Sequence, residues 1–288
     1  MFIGSHSRSE DHSESMQDAS TSPFARSAQR ADERGGAAVL RLDKRTYLDR
    51  EQGRLSVTLR DYGDGLCEVG WSFVAAMGLS KSTRGESENR FLHADRAARR
   101  ARSRLRQLIL ASKADHLLTL TYRENIAVFR QTSEDLSRFV RIVKKVLPDW
   151  LYIAVPEKQK RGAWHWHIAV VGRQNIELLR ASWRQVVGGG NIDVQPPKRG
   201  KSNRRLGIVK YLGKYLAKGF AEDHRELNGH RYRASLGIAI PGESIAVPAS
   251  FRGEASRYIV EQLRKRAGNV GFVWVDQNYG AGWACSWE

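Results

Sequence analysis

The sequence predicts an α+β fold on a split βαβ, ferredoxin-like unit: an antiparallel sheet with helices on one side, plus flanking N- and C-terminal segments. Three observations predict it. Between residues 116 and 220, short β-rich runs and helical stretches follow one another in the order β-α-β-β-α-β-α. Pro148 and the Gly189-Gly190 pair punctuate the ends of helical stretches. No fixed-period repeat competes with this order.

Taken from the N-terminus, residues 1–36 are rich in Ser, Asp, Glu, Arg and Gly without apolar periodicity, which predicts disorder. Residues 37–90 form a β-rich accessory region and linker. LSVTL (55–59) and LCEVGWSFV (66–74) flank the turn-forming DYGDG (61–65), a hairpin pattern, and SKSTRGESENR (80–90) reads as linker. The central domain, 91–220, opens with a basic helix from Asp95 to Ser112 carrying six arginines: Arg96, Arg99, Arg100, Arg102, Arg104 and Arg106. These form either a solvated face or a phosphate contact. HLLTLTY (116–122) is a strand. Ser133 to Val146 has helical spacing, with Leu136, Phe139, Val140 and Val143 on one face. LYIAV (151–155) and WHWHIAVVG (164–172) follow as strands, then a helix from about Ile176 to Val187, a strand NIDVQ (191–195) and a helix from Leu206 to Phe220. The C-terminal extension, 221–288, has HRYRASLGIAIP (230–241), a helix from Ala255 to Ala267 and an aromatic strand, VGFVWV (270–275).

Composition narrows the partner. Lys and Arg number 48 against 31 Asp and Glu, a net charge of +17, with a pI near 10.2. Such an excess favours a polyanion, because neutralising phosphates releases condensed counterions. A membrane is disfavoured: the longest apolar stretch, around Trp71 to Leu79, is far short of the roughly 20 residues of a spanning helix. The N-terminus has no apolar signal core. Two cysteines, Cys67 and Cys285, make neither a disulfide framework nor a thiolate zinc site, and fit a reducing cytoplasm.

The residues that carry chemistry lie in three places. His165 and His167 flank Trp166, and the two-residue period of a strand sends both imidazoles to one face while Ile168 and Val170 face the core. An isolated HxH is more often two half-buried histidines. Glu157 stands eight residues earlier in VPEKQKRGAWHWH, and a turn at KQKRGA would bring it beside the histidine strand; its plainer reading is a surface glutamate. Two imidazoles and a carboxylate suit a divalent ion with open positions. Finally, YLGKYLAK (211–218) puts Tyr211 and Tyr215 one turn apart, each followed three residues on by Lys214 and Lys218. Alone, this helix reads as tyrosines packed on a sheet with wet lysines. Around it, Lys198 to Lys218 hold eight Lys or Arg and no acid, including Arg204, Arg205 and Lys210, where a DNA backbone would approach.

Together, HLLTLTY, E-x7-HWH and Y-x2-K-Y-x2-K resemble the three motifs of the HUH endonucleases, over about residues 116–220. Their order resembles the rolling-circle replication initiators, and the paired tyrosines the two-tyrosine branch of phage and plasmid replication proteins. Relaxases usually carry their tyrosine before the metal motif, and here it follows. RYRAS-GI-P (from 231) also looks like phage replication proteins, less diagnostically. The resemblance implies an HUH nuclease core in which His165, His167 and Glu157 bind Mg2+ or Mn2+. It implies that Tyr211 or Tyr215 attacks the scissile phosphate, that Lys214 and Lys218 orient DNA or phosphate, and that Thr119 and Thr121 serve a structural or DNA-positioning role. The implied partners are single-stranded or hairpin origin DNA in a bacterial cytoplasm and, as no GxxxxGK[ST] motor motif occurs, a host helicase and polymerase. Two rivals stand beside this reading: an HUH-type transposase, which would cut paired ends, and a non-catalytic basic nucleic-acid-binding protein.

Overall fold

The DYGDG segment turns as its composition requires. Gly63, Asp64 and Gly65 all have positive φ (76°, 54° and 72°), and the Gly63 amide donates to the Asp61 carboxylate at 2.9 Å. The turn joins β1 (Arg54–Asp61) to β2 (Cys67–Val74) in an antiparallel hairpin. The computed structural model describes residues 53–74, 90–195, 203–221, 231–248, 252–276 and 280–287. The expected disorder at 1–36, the linker at 80–89, and Lys198, Arg199 and Lys201 lie outside the described residues.

Next come α1 (Arg90–Ser112), β3 (His116–Tyr122), α2 (Phe129–Val146), β4 (Tyr152–Lys158), β5 (Trp164–Val170), α3 (Ile176–Val187), β6 (Gly190–Gln195) and α4 (Arg204–Ala221). The strands β3 to β6 form the split βαβ sheet in the order β6-β3-β5-β4, every neighbour antiparallel, and a two-residue strand β7 (Arg233–Ala234) adds to the β4 edge. Helix α3 starts where its signal lies: the Asn175 side chain accepts from the Leu178 amide at 3.1 Å, and Gly188 at φ 69° ends it. Helix α2 begins a turn before the expected Ser133, because Val128 at its N-cap offers no side-chain cap to read.

The crossover helices α2 and α3 cover one face of this sheet, around Leu136, Phe139, Val143, Leu179, Trp183, Trp166 and Ile168. Ile168 and Val170 thus face the core as their strand parity requires. The opposite face, expected open, is also covered: Leu105, Leu108 and Ile109 of α1 and Ile208, Leu212 and Leu216 of α4 pack on Leu117, Ile153, Val155 and Ala169. The apolar stripes of those two helices need a surface to bury against, and this face supplies it.

The hairpin and the C-terminal extension, which look unrelated in sequence, build a second sheet together. It contains β8 (Glu243–Pro248), β9 (Phe272–Asp276) and β10 (Ala281–Cys285), in the order β8-β1-β2-β10-β9, all antiparallel. One face packs on α5 (Arg252–Ala267) through Leu55, Val57, Val69, Trp71, Ile259 and Leu263. Gly282 permits this, since a Cβ there would fall inside the Trp71 ring. Tyr62 and Leu66 of the hairpin meet Leu110 and Leu206, linking the second sheet to α1 and α4. No helix among the described residues is long and apolar enough to cross a membrane.

Candidate active site

Three strands change character at the same level on the face under α4. Leu117, Ala169 and Ile153 lie side by side and are apolar; Thr119, His167 and Val155 form the next row; His165 and Glu157 oppose one another in the row beyond. The hairpin count from Glu157 to His165 therefore delivers the cross-strand pair that the sequence suggests. The turn between them is closed by the Gln159 amide on the Ala163 carbonyl at 2.8 Å, with Gly162 at φ 89°.

Glu157 bonds not to the histidine opposite it but to the diagonal one: its Oε2 lies 2.8 Å from His167 Nε2. The Lys218 ammonium donates to Glu157 Oε1 at 3.4 Å and to the Lys158 carbonyl at 2.9 Å. Burial opposes charge on Glu157, but His167 and Lys218 outweigh it and hold the carboxyl below its usual range. His165 is pushed the other way: burial, then the neighbouring His167 and Arg161, lower its pKa and favour the neutral imidazole.

Both histidines are held from behind. Thr119 Oγ1 lies 3.3 Å from His167 Nδ1, and Gln159 Nε2 lies 3.1 Å from His165 Nδ1. His165 Nε2 is buried and has no hydrogen-bond partner. Sequence reasoning missed Gln159; its signal was its place at the start of the turn leading to His165. Among the described residues, no three His, Cys, Asp or Glu side chains stand converged as a cation cage. Two nitrogens and a carboxylate nevertheless share the pocket, and their supports suit a change of state. A hydroxyl and a carboxamide can each donate or accept, so Thr119, and Gln159 once its amide turns, can hold either tautomer of their histidines. The residues therefore fit a divalent ion.

Helix α4 lays both tyrosines over this pocket. The Tyr215 ring stacks on His167 with centroids 4.4 Å apart and 19° between planes, and Tyr211 meets the same ring edge-on at 5.5 Å. The Tyr215 hydroxyl donates to that of Tyr211 at 3.2 Å. Burial, then the bond to Tyr211 and the nearby Glu157, raise the Tyr215 pKa. Tyr211 is 37% exposed and is the phenol solvent reaches more readily.

The remaining expected residues divide. Arg204, Lys210 and Lys214 are exposed along α4, with the Lys214 ammonium 5.9 Å from the Tyr215 ring. Arg205, expected on the DNA surface, is 5% exposed instead. Its guanidinium donates to the Tyr62 and Leu110 carbonyls, both at 3.3 Å, and pairs with Asp64. It fastens the hairpin turn to two helices. Lys218, expected on DNA, is engaged with Glu157. Thr121 donates to the Asn191 carbonyl at 3.1 Å and ties β3 to β6.

A split βαβ sheet with two histidines, a carboxylate and a tyrosine-bearing helix on one face defines a class of candidate phosphodiester-handling domains. Residues 115–220 match the family described as Replication-associated protein ORF2, a span that holds every residue of this pocket. No curated protein matches the chain, and no solved structure matches it. The family match supports a replication-associated kind of protein, with DNA as the partner such a role implies.

Proposed function

We propose that the chain is a rolling-circle replication initiator that nicks and rejoins single-stranded origin DNA through a tyrosine. The observation that carries this reading is the convergence of Tyr211 and Tyr215 on the ring of His167, itself bonded to Glu157. A structural helix needs no pair of phenols stacked on a buried histidine–carboxylate pair.

In the proposed reaction a tyrosine oxygen forms a bond to the scissile phosphorus and the P–O3′ bond breaks. The phenol loses its proton, the departing 3′ oxygen gains one, and the 5′ phosphate stays on the enzyme. The reverse attack by a 3′-hydroxyl rejoins the strand without ATP. A divalent ion, Mg2+ or Mn2+, held by His165, His167 and Glu157, would supply Lewis acidity and neutralise charge on the phosphate. Lys218 keeps Glu157 ionised and in place, while Thr119 and Gln159 orient the two imidazoles. Tyr211 is the better placed first nucleophile: it is more exposed, and the hydrogen bond donated by Tyr215 leaves its own proton free to depart. The freed 3′-hydroxyl would prime a host polymerase behind a host helicase.

The test is incubation with single-stranded origin DNA and Mn2+, followed by a denaturing gel and mass spectrometry of the adduct. Tyr211→Phe and Tyr215→Phe should each retain some single-round nicking, with the double change losing all of it. A wild-type protein that binds the DNA but forms no covalent adduct is a non-catalytic binder, and the proposal fails.

A further inference from the structure

The second sheet has one face packed on α5 and another that α5 does not cover. That other face carries a cross-strand aromatic pair, Trp283 of β10 directly opposite Trp274 of β9, with Phe272 two residues along on the same side. Phe272 is 49% exposed and Trp274 41%. Exposed large aromatics on an edge strand are costly to solubility unless something uses them.

Their surroundings are organised. Trp283 is fixed at the centre: its indole Nε1 donates to Glu68 Oε2 at 3.0 Å, the Arg106 guanidinium lies 4.4 Å from its ring centroid, and Phe272 packs beside it at 5.7 Å. Arg106 also pairs with Glu68 at 2.8 Å, so the acid beneath the aromatics is fully buried and neutralised. Asp276, at the end of β9, is half-buried. Arg106 belongs to α1, and Arg102 and Arg99, one and two turns earlier along that helix, are exposed. The aromatic face is thus continued by a row of guanidinium groups.

We infer that this face binds unpaired nucleotides, with bases stacking on Trp274 and Phe272 and the phosphate backbone running along the α1 arginines. Aromatic side chains beside a basic track are how sheets hold single-stranded nucleic acid, because every base has a π-face and every linkage a charge. A duplex keeps its bases stacked on one another and offers this face only phosphates. A net charge of +17 makes an acidic strand the complementary occupant. A protein partner would meet the same aromatics, but the arginine row beside them would then need an acidic surface to match. The inference does not rest on the tyrosine reaction: the face would hold a strand whether or not the pocket under α4 cuts it.

The test uses the full chain, EDTA to silence any cleavage, and a fluorescent oligothymidine of about 16 nucleotides, the upper site size for one such sheet. Loss of one to two stacked bases predicts that Phe272→Ala with Trp274→Ala weakens binding by at least about 10-fold. Trp274→Phe should recover much of it, and affinity for blunt duplex DNA should stay within about 2-fold. Arg99→Ala with Arg102→Ala should lower the salt slope by roughly 1.4, at about 0.7 per lost single-strand contact. Both aromatic positions are exposed, so the fold should survive, and unchanged thermal melting checks this. Unchanged oligothymidine affinity in the double aromatic variant overturns the inference. So does an equal loss on duplex, or a fall from dimer to monomer in sedimentation with DNA binding intact, which would make the face a protein interface. Failure of the covalent-adduct assay leaves every one of these outcomes readable.

Discussion

Replacing Arg205 by alanine removes a guanidinium that holds three parts of the chain at once. Two of its hydrogen bonds go to main-chain carbonyls, those of Tyr62 and Leu110. Bonds from a charged donor are worth about 1.5–3 kcal/mol each, but Leu110 keeps a second partner in the Lys113 amide, so the lower end applies there. The Asp64 carboxylate is 74% exposed, and solvent screens that pair to at most about 1 kcal/mol. The buried aliphatic stem adds lost packing. The sum, after water fills part of the space, is about 3 kcal/mol. For a unit of this size that lowers Tm by roughly 6–12 °C. The assay is thermal melting of both proteins in one buffer, with DNA affinity measured against salt at a temperature where both are folded. Destabilisation with an unchanged salt slope is the expected pair of results. An unchanged Tm with a shallower slope would refute the reasoning, because Arg205 would then spend its charge on phosphate.

Two further outcomes follow from the site. His165→Ala with His167→Ala should abolish nicking while leaving most of the DNA affinity, which rests on Lys and Arg, and EDTA should mimic it; full nicking by the double variant would remove the metal assignment. Arg204→Ala and Lys210→Ala, both at exposed positions of α4, should each lower the salt slope of binding by about 0.7–0.9; if neither does, the strand takes another path.

The split βαβ order was legible because each of its elements announces itself locally. Asn175 and Gly188 bracket α3, and strand parity separates Trp166 and Ile168 from the two histidines. The pairing of Glu157 with the histidine strand could also be read, since a short turn leaves the antiparallel register little freedom. What the register could not say is that Glu157 would reach diagonally to His167, because that depends on Lys218 arriving from a helix some 60 residues away. Arg205 was misread for a similar reason: within a run of basic residues nothing local separates an arginine facing solvent from one facing carbonyls of other elements. The second sheet was illegible as a sheet. Its strands β8 and β10 are short, and the edges they complete lie near the other end of the described chain.

That distance has a consequence for synthesis. The β1–β2 hairpin leaves the ribosome with both outer edges bare. Its first edge partner, β8, begins about 170 residues later. At about 5–20 residues per second the wait is on the order of 10–30 s. Over that interval the core domain can form, while Val57, Val69 and Trp71 face a layer not yet translated. A nascent chain stalled before Glu243 would expose two strand edges and an apolar face together, a form that chaperones must shield until the last 50 or so residues arrive.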